Sequence, residues 1–144
     1  ICRRVGIGIG WLGIILAGLF GNWVSAWGHS PEAPVAIGAS TATFGALGIL
    51  VAFQTLGKLG LKLRWRQPAT WVPAVAGLLL LGFLGTAPNA DQTGHLCGFI
   101  AGISIGLLFH QATGWRLNGW LQATLALVAL ALPAFAWQLA LNQA

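Results

Sequence analysis

The chain has 144 residues, of which 57% are hydrophobic and only 6% are charged. A soluble domain of this size keeps roughly a quarter of its residues charged, so the composition excludes a water-soluble globular protein and indicates that lipid covers most of the surface. The net charge of +5 would suit nucleic acid, but five of the seven basic residues lie in short loops between apolar segments, which argues against that partner.

Five apolar stretches are long enough to cross a hydrocarbon core about 30 Å thick, which takes about 20 helical residues. They cover approximately residues 5–27, 35–56, 71–88, 93–111 and 119–141. Their continuous Leu, Ile, Ala and Gly runs favour helices, because the strands of a barrel would alternate apolar and polar residues. The sequence therefore predicts an all-α, polytopic transmembrane helical bundle of five spans in a single domain over residues 1–144.

The distribution of charge predicts the orientation of these spans in the bilayer. If five helices alternate in direction, all basic residues fall on one side, and both acids, Glu32 and Asp91, fall on the other. The basic residues are Arg3, Arg4, Lys58, Lys62, Arg64, Arg66 and Arg116. Because basic loops stay in the cytoplasm, we expect this side to be cytoplasmic, in a membrane that we take to be a bacterial inner membrane.

Spans two and four both start on the outer side, which brings a serine and a histidine to similar depth. Ser40 lies near the start of span two and His95 near the start of span four. An ionisable side chain inside a span is costly, so His95 is a candidate functional residue. The glycines that repeat along the two spans would let the helices approach closely, as in small-xxx-small packing; they are Gly38, Gly45 and Gly48 on span two, and Gly94, Gly98, Gly102 and Gly106 on span four.

Two motifs at these positions resemble those of a known family. GASTATFG, over residues 38–45, is similar to the GASGAxFG nucleophile motif of rhomboid intramembrane serine proteases. GHLCGFIAG, over residues 94–102, is similar to their AHxGGxxAG histidine motif. The order of the motifs, the single span between them and the Gly21-Asn22 pair also match. The likeness covers roughly residues 5–110, and residues 119–141 would be an extra C-terminal span.

The resemblance implies the following roles. Ser40 would attack the scissile carbonyl and His95 would take its proton, a dyad without a third, acidic member. Phe44, one turn after the serine, would stack on the imidazole and orient it. The backbone N–H groups of Ser40 and Ala39 would bind the oxyanion, because first-turn amides lack intrahelical partners. The substrates would be transmembrane proteins, cut in or next to a membrane helix.

Three positions depart from the motifs: Thr41 and Cys97 replace glycines, and Gly94 replaces alanine. Thr41 matters most, because a β-branched residue stiffens the turn that would form the oxyanion hole. The chain also lacks the His-x-x-x-Asn motif that the family carries in an earlier span, and it starts with Ile. We therefore expect an N-terminally truncated rhomboid-like domain, with core spans at 5–111 and two spans missing.

Several alternatives stay open or are disfavoured on chemical grounds. The polar loop residue Asp91 could line a water-filled outer mouth, or it could be an ordinary solvated residue. A catalytically inactive rhomboid-like protein that binds transmembrane clients is the competing function. A transporter or channel would need polar residues at mid-membrane, which spans three and five lack. No metal or other cofactor is expected, since His95 and His110 are about 22 Å apart along one helix.

Overall fold

In the computed structural model, residues 1–29, 39–56, 68–85, 91–111 and 117–143 are described, and these ranges form helices without any strand. The helices are α1 (Cys2–Val5), α2 (Ile7–Gly28), α3 (Ser40–Leu56), α4 (Pro68–Gly85), α5 (Gln92–Gln111) and α6 (Gly119–Gln143). The prediction of an all-α bundle is confirmed. Residues 35–38 and 86–88, at the edges of predicted spans two and three, lie outside the described residues.

Three of these helices have the length and apolarity needed to cross a membrane: α2, α5 and residues 119–142 of α6. Helices α3 and α4 contain shorter apolar stretches, Ser40–Thr55 and Ala74–Phe83. Large apolar side chains are exposed on several helices, among them Trp27 at 75%, Phe83 at 83% and Trp120 at 86%. An apolar surface of this extent is what a bilayer covers, so the chain is an integral membrane protein.

The first predicted span is interrupted near its start, because α1 and α2 are separate helices on either side of Gly6. Gly6 has φ of 93°, a left-handed conformation that residues with a Cβ rarely adopt. Gln122 of α6 lies against this break. The Gly8 and Ile9 amides donate to Gln122 Oε1 at 2.8 and 3.3 Å, and Gln122 Nε2 donates to the Val5 carbonyl at 3.1 Å. These bonds fasten α6 to the α1–α2 junction.

Helix α3 lies at the centre, in contact with α2, α4 and α5. Two buried clusters flank it: Ile49 and Phe53 pack with Val5, while Phe44 and Val51 pack with Phe99. Arg4 donates to the Phe53 carbonyl at 3.4 Å and lies over the Phe53 ring, 5.7 Å from its centroid. Together these contacts hold the core of the bundle around α3.

Helices α3 and α5 touch backbone to backbone. A Cβ added at Gly98 would lie 2.5 Å from the Thr41 carbonyl oxygen, and one added at Gly102 would run into the Gly45 carbonyl oxygen. A Cβ at Gly45 would lie 2.6 Å from the Ala17 side chain on α2. Side chains at these positions would force the helices apart, so the glycines set their separation. Gly38 lies outside the described residues.

Candidate active site

Ser40 is the first residue of α3, and its side chain is exposed. The turn around it is held locally, because both the amide and the hydroxyl of Thr43 donate to the Ala39 carbonyl, at 3.0 and 3.1 Å. The first N–H groups of a helix have no intrahelical acceptor, and the helix dipole makes this end attractive to negative charge. The hydroxyl of Ser40 thus stands at the N-terminal end of α3, the end of a helix that favours negative charge.

His95 lies in the first turn of α5 and is only 5% exposed. Its backbone amide donates to the Asp91 carbonyl at 2.9 Å, which makes the first helical hydrogen bond of this turn. A buried imidazole in an apolar helix needs hydrogen-bonding partners, because an unsatisfied polar group in such surroundings is costly. The partner of its Nε2 atom lies on α3.

The Oγ atom of Ser40 is 2.8 Å from the Nε2 atom of His95. These residues are 55 positions apart and on different helices, yet their side chains are within hydrogen-bonding distance. With the ring proton on Nδ1, the Ser40 hydroxyl donates to Nε2; the tautomer determines this direction. A hydroxyl that donates to a neutral imidazole is the arrangement from which a serine can be deprotonated.

Phe44 lies against the imidazole from the next turn of α3. The two ring centroids are 4.6 Å apart and the ring planes are inclined by 38°. Phe44 is itself buried, at 7% exposure, and packs with Val51 and Phe99. A ring fixed in this way limits the rotation of the imidazole that it contacts.

Thr41, where the rhomboid motif has glycine, is buried between α3 and α5. It is 3% exposed, and its γ-methyl group would lie 2.7 Å from a Cβ at Gly98 and 2.8 Å from one at Gly21. Thr41 therefore fills the space that Gly21 and Gly98 leave open. Its side chain belongs to the helix contact beside Ser40.

A cavity of about 380 Å³ opens beside Ser40 and His95. Its lining is Ser40, Thr43, Phe44, Leu47, Leu80 and His95. Leu80 is the contribution of α4, and the other residues come from α3 and α5. The lining is apolar apart from the serine, threonine and histidine, so the cavity suits an apolar chain segment with one polar group directed at Ser40.

Two residues that join α2 to α5 form a contact that the sequence did not predict: Asp91, directly before α5, and Ser25 on α2. Asp91 accepts from the Gly94 amide at 2.7 Å through Oδ1 and from the Ser25 hydroxyl of α2 at 3.3 Å. An acidic residue directly before a helical run is a helix-capping signal, which could have identified Asp91. No sequence signal links Ser25 to it across 66 positions.

Asn22, of the Gly21-Asn22 pair, is partly buried on α2. Its Oδ1 atom is enclosed and has no hydrogen-bond partner within the described ranges. Gly21 lies close to Gly98, since a Cβ added at Gly21 would be 2.6 Å from the Gly98 amide nitrogen. Gly21 therefore belongs to the contact between α2 and α5, beside Gly98, which follows His95 by three residues.

The fold and the site define a helical membrane protein in which a serine and a histidine meet at the starts of two helices. Comparison with known proteins agrees with this class: residues 1–112 match the family model for the Rhomboid domain. The chain belongs to the rhomboid family. It is 33% identical over 139 residues to Rhomboid-like protease 1 of Toxoplasma gondii, an alignment that covers 92% of this chain and 45% of that relative. The chain thus spans less than half the length of that curated relative, and no solved structure matches it significantly.

Proposed function

We propose that this protein is an intramembrane serine endopeptidase that cleaves peptide bonds in or next to transmembrane helices with a Ser40–His95 dyad. The observation that carries the proposal is the 2.8 Å distance between Ser40 Oγ and His95 Nε2. Family membership and the relative described as a protease support the same chemistry. The apolar cavity beside the pair supports a substrate that comes from the lipid phase.

The reaction proceeds in two halves. His95 Nε2 accepts the Ser40 proton while Oγ attacks the scissile carbonyl carbon, and the carbonyl oxygen becomes an oxyanion. The imidazolium then gives this proton to the leaving amine as the C–N bond breaks, which leaves an acyl ester on Ser40. Water, deprotonated by the same imidazole, hydrolyses the ester and restores the hydroxyl.

The oxyanion needs donors, and the start of α3 supplies candidates. The backbone N–H groups of Ser40 and Ala39 precede the first intrahelical hydrogen bonds of α3, whose earliest described donor is the Thr43 amide. Loss of one such donor typically costs about 2.7–4 kcal/mol of transition-state stabilisation. Phe44 supports the other half of the site, because its ring holds the imidazole in the orientation that directs Nε2 at Oγ.

The orientation in the membrane follows from the charges. With the basic residues on the cytoplasmic side, the starts of α3 and α5, and with them the dyad, face the extracytoplasmic side. The bacterial inner membrane stays a prediction. Cysteine residues introduced one at a time at Gly119 and Gln92, in a protein whose Cys2 and Cys97 are replaced by alanine, would test this. A membrane-impermeant maleimide should label only Gln92→Cys from outside; the reverse pattern would contradict the orientation.

The activity is tested by cleavage of a transmembrane reporter in proteoliposomes by the full-length protein. Wild type should cleave, whereas Ser40→Ala and His95→Ala should lose at least about a thousandfold in rate, as dyad residues do. Binding of the reporter without cleavage by wild type would instead support the competing function, a rhomboid-like protein that holds transmembrane clients. Undiminished cleavage by either variant would show that the Ser40–His95 dyad does not catalyse the reaction.

A further inference from the structure

The start of α5 is tied to α2 through one carboxylate. Asp91 stands directly before α5, and its Oδ1 accepts from the Gly94 amide at 2.7 Å. The same carboxylate accepts from the Ser25 hydroxyl, 3.3 Å from Oδ1 and 3.5 Å from Oδ2. Ser25 is only 2% exposed, and its bond crosses from α2 to α5. A single side chain thus caps one helix and joins it to another.

This carboxylate lies next to the candidate base in the chain. The backbone carbonyl of Asp91 accepts from the His95 amide at 2.9 Å, while its side chain binds the amide of the preceding residue, Gly94. The two successive amides of the first turn of α5 are therefore both held by Asp91. Any shift of Asp91 moves the backbone from which the His95 ring projects.

Gly94 leaves the space that the capping carboxylate occupies. A Cβ added at Gly94 would run into Asp91 Oδ2 and would lie 2.7 Å from Cγ. The rhomboid motif has alanine at this position. In this chain the absence of a Cβ at Gly94 allows the Asp91 carboxylate to lie against the Gly94 backbone. The cap is thus a specific feature of the site, with three participants: Ser25, Asp91 and Gly94.

We infer that Asp91, held by Ser25, is a positioning residue that fixes the His95 ring against Ser40; the inference rests on the proposed protease function. Neither Ser25 nor Asp91 takes part in the reaction itself. Their bonds fix the distance between α2 and the first turn of α5, and α3 carries Ser40 against both helices. Small displacements of a catalytic group reduce rate far more than they reduce substrate binding, so the effect should appear in kcat.

The test uses the full-length protein in proteoliposomes with a transmembrane reporter, and measures kcat, KM and the thermal unfolding midpoint. Asp91→Ala should lower kcat about tenfold or more and leave KM within about twofold. Asp91→Asn should restore most of kcat, since Asn caps a helix about as well as Asp and still accepts from Ser25. Ser25→Ala should lower kcat by a smaller factor.

Asn118→Ala is the matched control. Asn118 caps α6 as Asp91 caps α5, since its Oδ1 accepts from the Leu121 amide at 2.9 Å with the same three-residue spacing. Asn118 is not among the residues that line the cavity. Both alanine variants should lower the unfolding midpoint, Asp91→Ala by more because it also loses the Ser25 bond, while only Asp91→Ala should lower kcat.

Three outcomes would overturn the inference: a kcat of Asp91→Ala equal to wild type, a loss that falls on KM alone, or an equal loss of kcat in Asn118→Ala. Ser40→Ala and His95→Ala are measured in the same assay as controls for the proposed function. If those variants are inactive, the proposed function stands and only the positioning role fails. If they cleave like wild type, the proposed function itself has failed.

Discussion

The imidazole of His95 lies between two residues of a single helix face: Ser40 Oγ is 2.8 Å from its Nε2 atom, and Phe44 has its ring centroid 4.6 Å away. Residues four apart on a helix share a face, so α3 presents both the hydroxyl and the aromatic ring to α5. The ring of Phe44 thus holds the imidazole of His95 in place, and the Ser40 hydroxyl bonds to its Nε2 atom. Phe44 therefore orients the imidazole, while Ser40 is the residue that reacts with it.

Replacement of Phe44 tests the orienting contact. Phe44→Leu should lower kcat about tenfold, because the smaller, flexible side chain lets the imidazole rotate away from Ser40. Phe53→Leu is the control, since Phe53 is also buried in α3, at 3% exposure, but contacts the Val5 cluster. Both variants should lose about 1–3 kcal/mol of stability. A loss of kcat as large in Phe53→Leu would show that general loosening of the bundle, and not the ring contact, causes the effect.

The glycine contact between α3 and α5 should set the distance within the dyad. In Gly102→Ala, the new methyl group runs into the Gly45 carbonyl oxygen, so the helices must separate. We expect a lower unfolding midpoint and a fall in reporter cleavage of more than about tenfold. Gly82→Ala in α4 is the control, because within the described part of the chain the added methyl group meets no atom of another helix within 4 Å. Retained activity in Gly102→Ala would mean that the backbone contact is not what holds the pair together.

Gly94 and Asp91 should behave as one unit in a double-mutant cycle. Gly94→Ala should displace the capping carboxylate and lower kcat by about the same factor as Asp91→Ala, even though alanine is a better helix former. The double variant should be no slower than either single variant, since both remove the same cap. Additive losses in kcat would show that the two residues act separately.

The polar contact of Gln122 should fasten α6 to the rest of the bundle. Gln122→Leu leaves the Gly8 amide and the Val5 carbonyl without this partner, which should cost about 1–3 kcal/mol. The thermal unfolding midpoint of Gln122→Leu should fall accordingly. Gln138→Leu, at an exposed position of the same helix, should leave the midpoint unchanged. Equal midpoints in the two variants would contradict a fastening role.

The sequence predicts those features that depend on local pattern. Long apolar runs predicted the helices, and the charge in the loops predicted that Ser40 and His95 start two parallel helices. The break at Gly6 was not predictable, because the orphan amides of α2 are satisfied by Gln122, more than a hundred residues away. The Ser25–Asp91 bond was missed for the same reason. Contacts between side chains on different helices depend on rotation and depth, which periodicity alone does not define.

The most direct test of the central claim is labelling by a fluorophosphonate probe, with the modified residue identified by mass spectrometry. The full-length protein should be labelled at Ser40 and not at Ser104, whose hydroxyl donates to the Ile100 carbonyl at 3.1 Å within its own helix. His95→Ala should lose this labelling at a temperature well below its unfolding midpoint, where the variant is still folded. Labelling of Ser40 at an undiminished rate in His95→Ala would contradict the claim that the imidazole activates the serine.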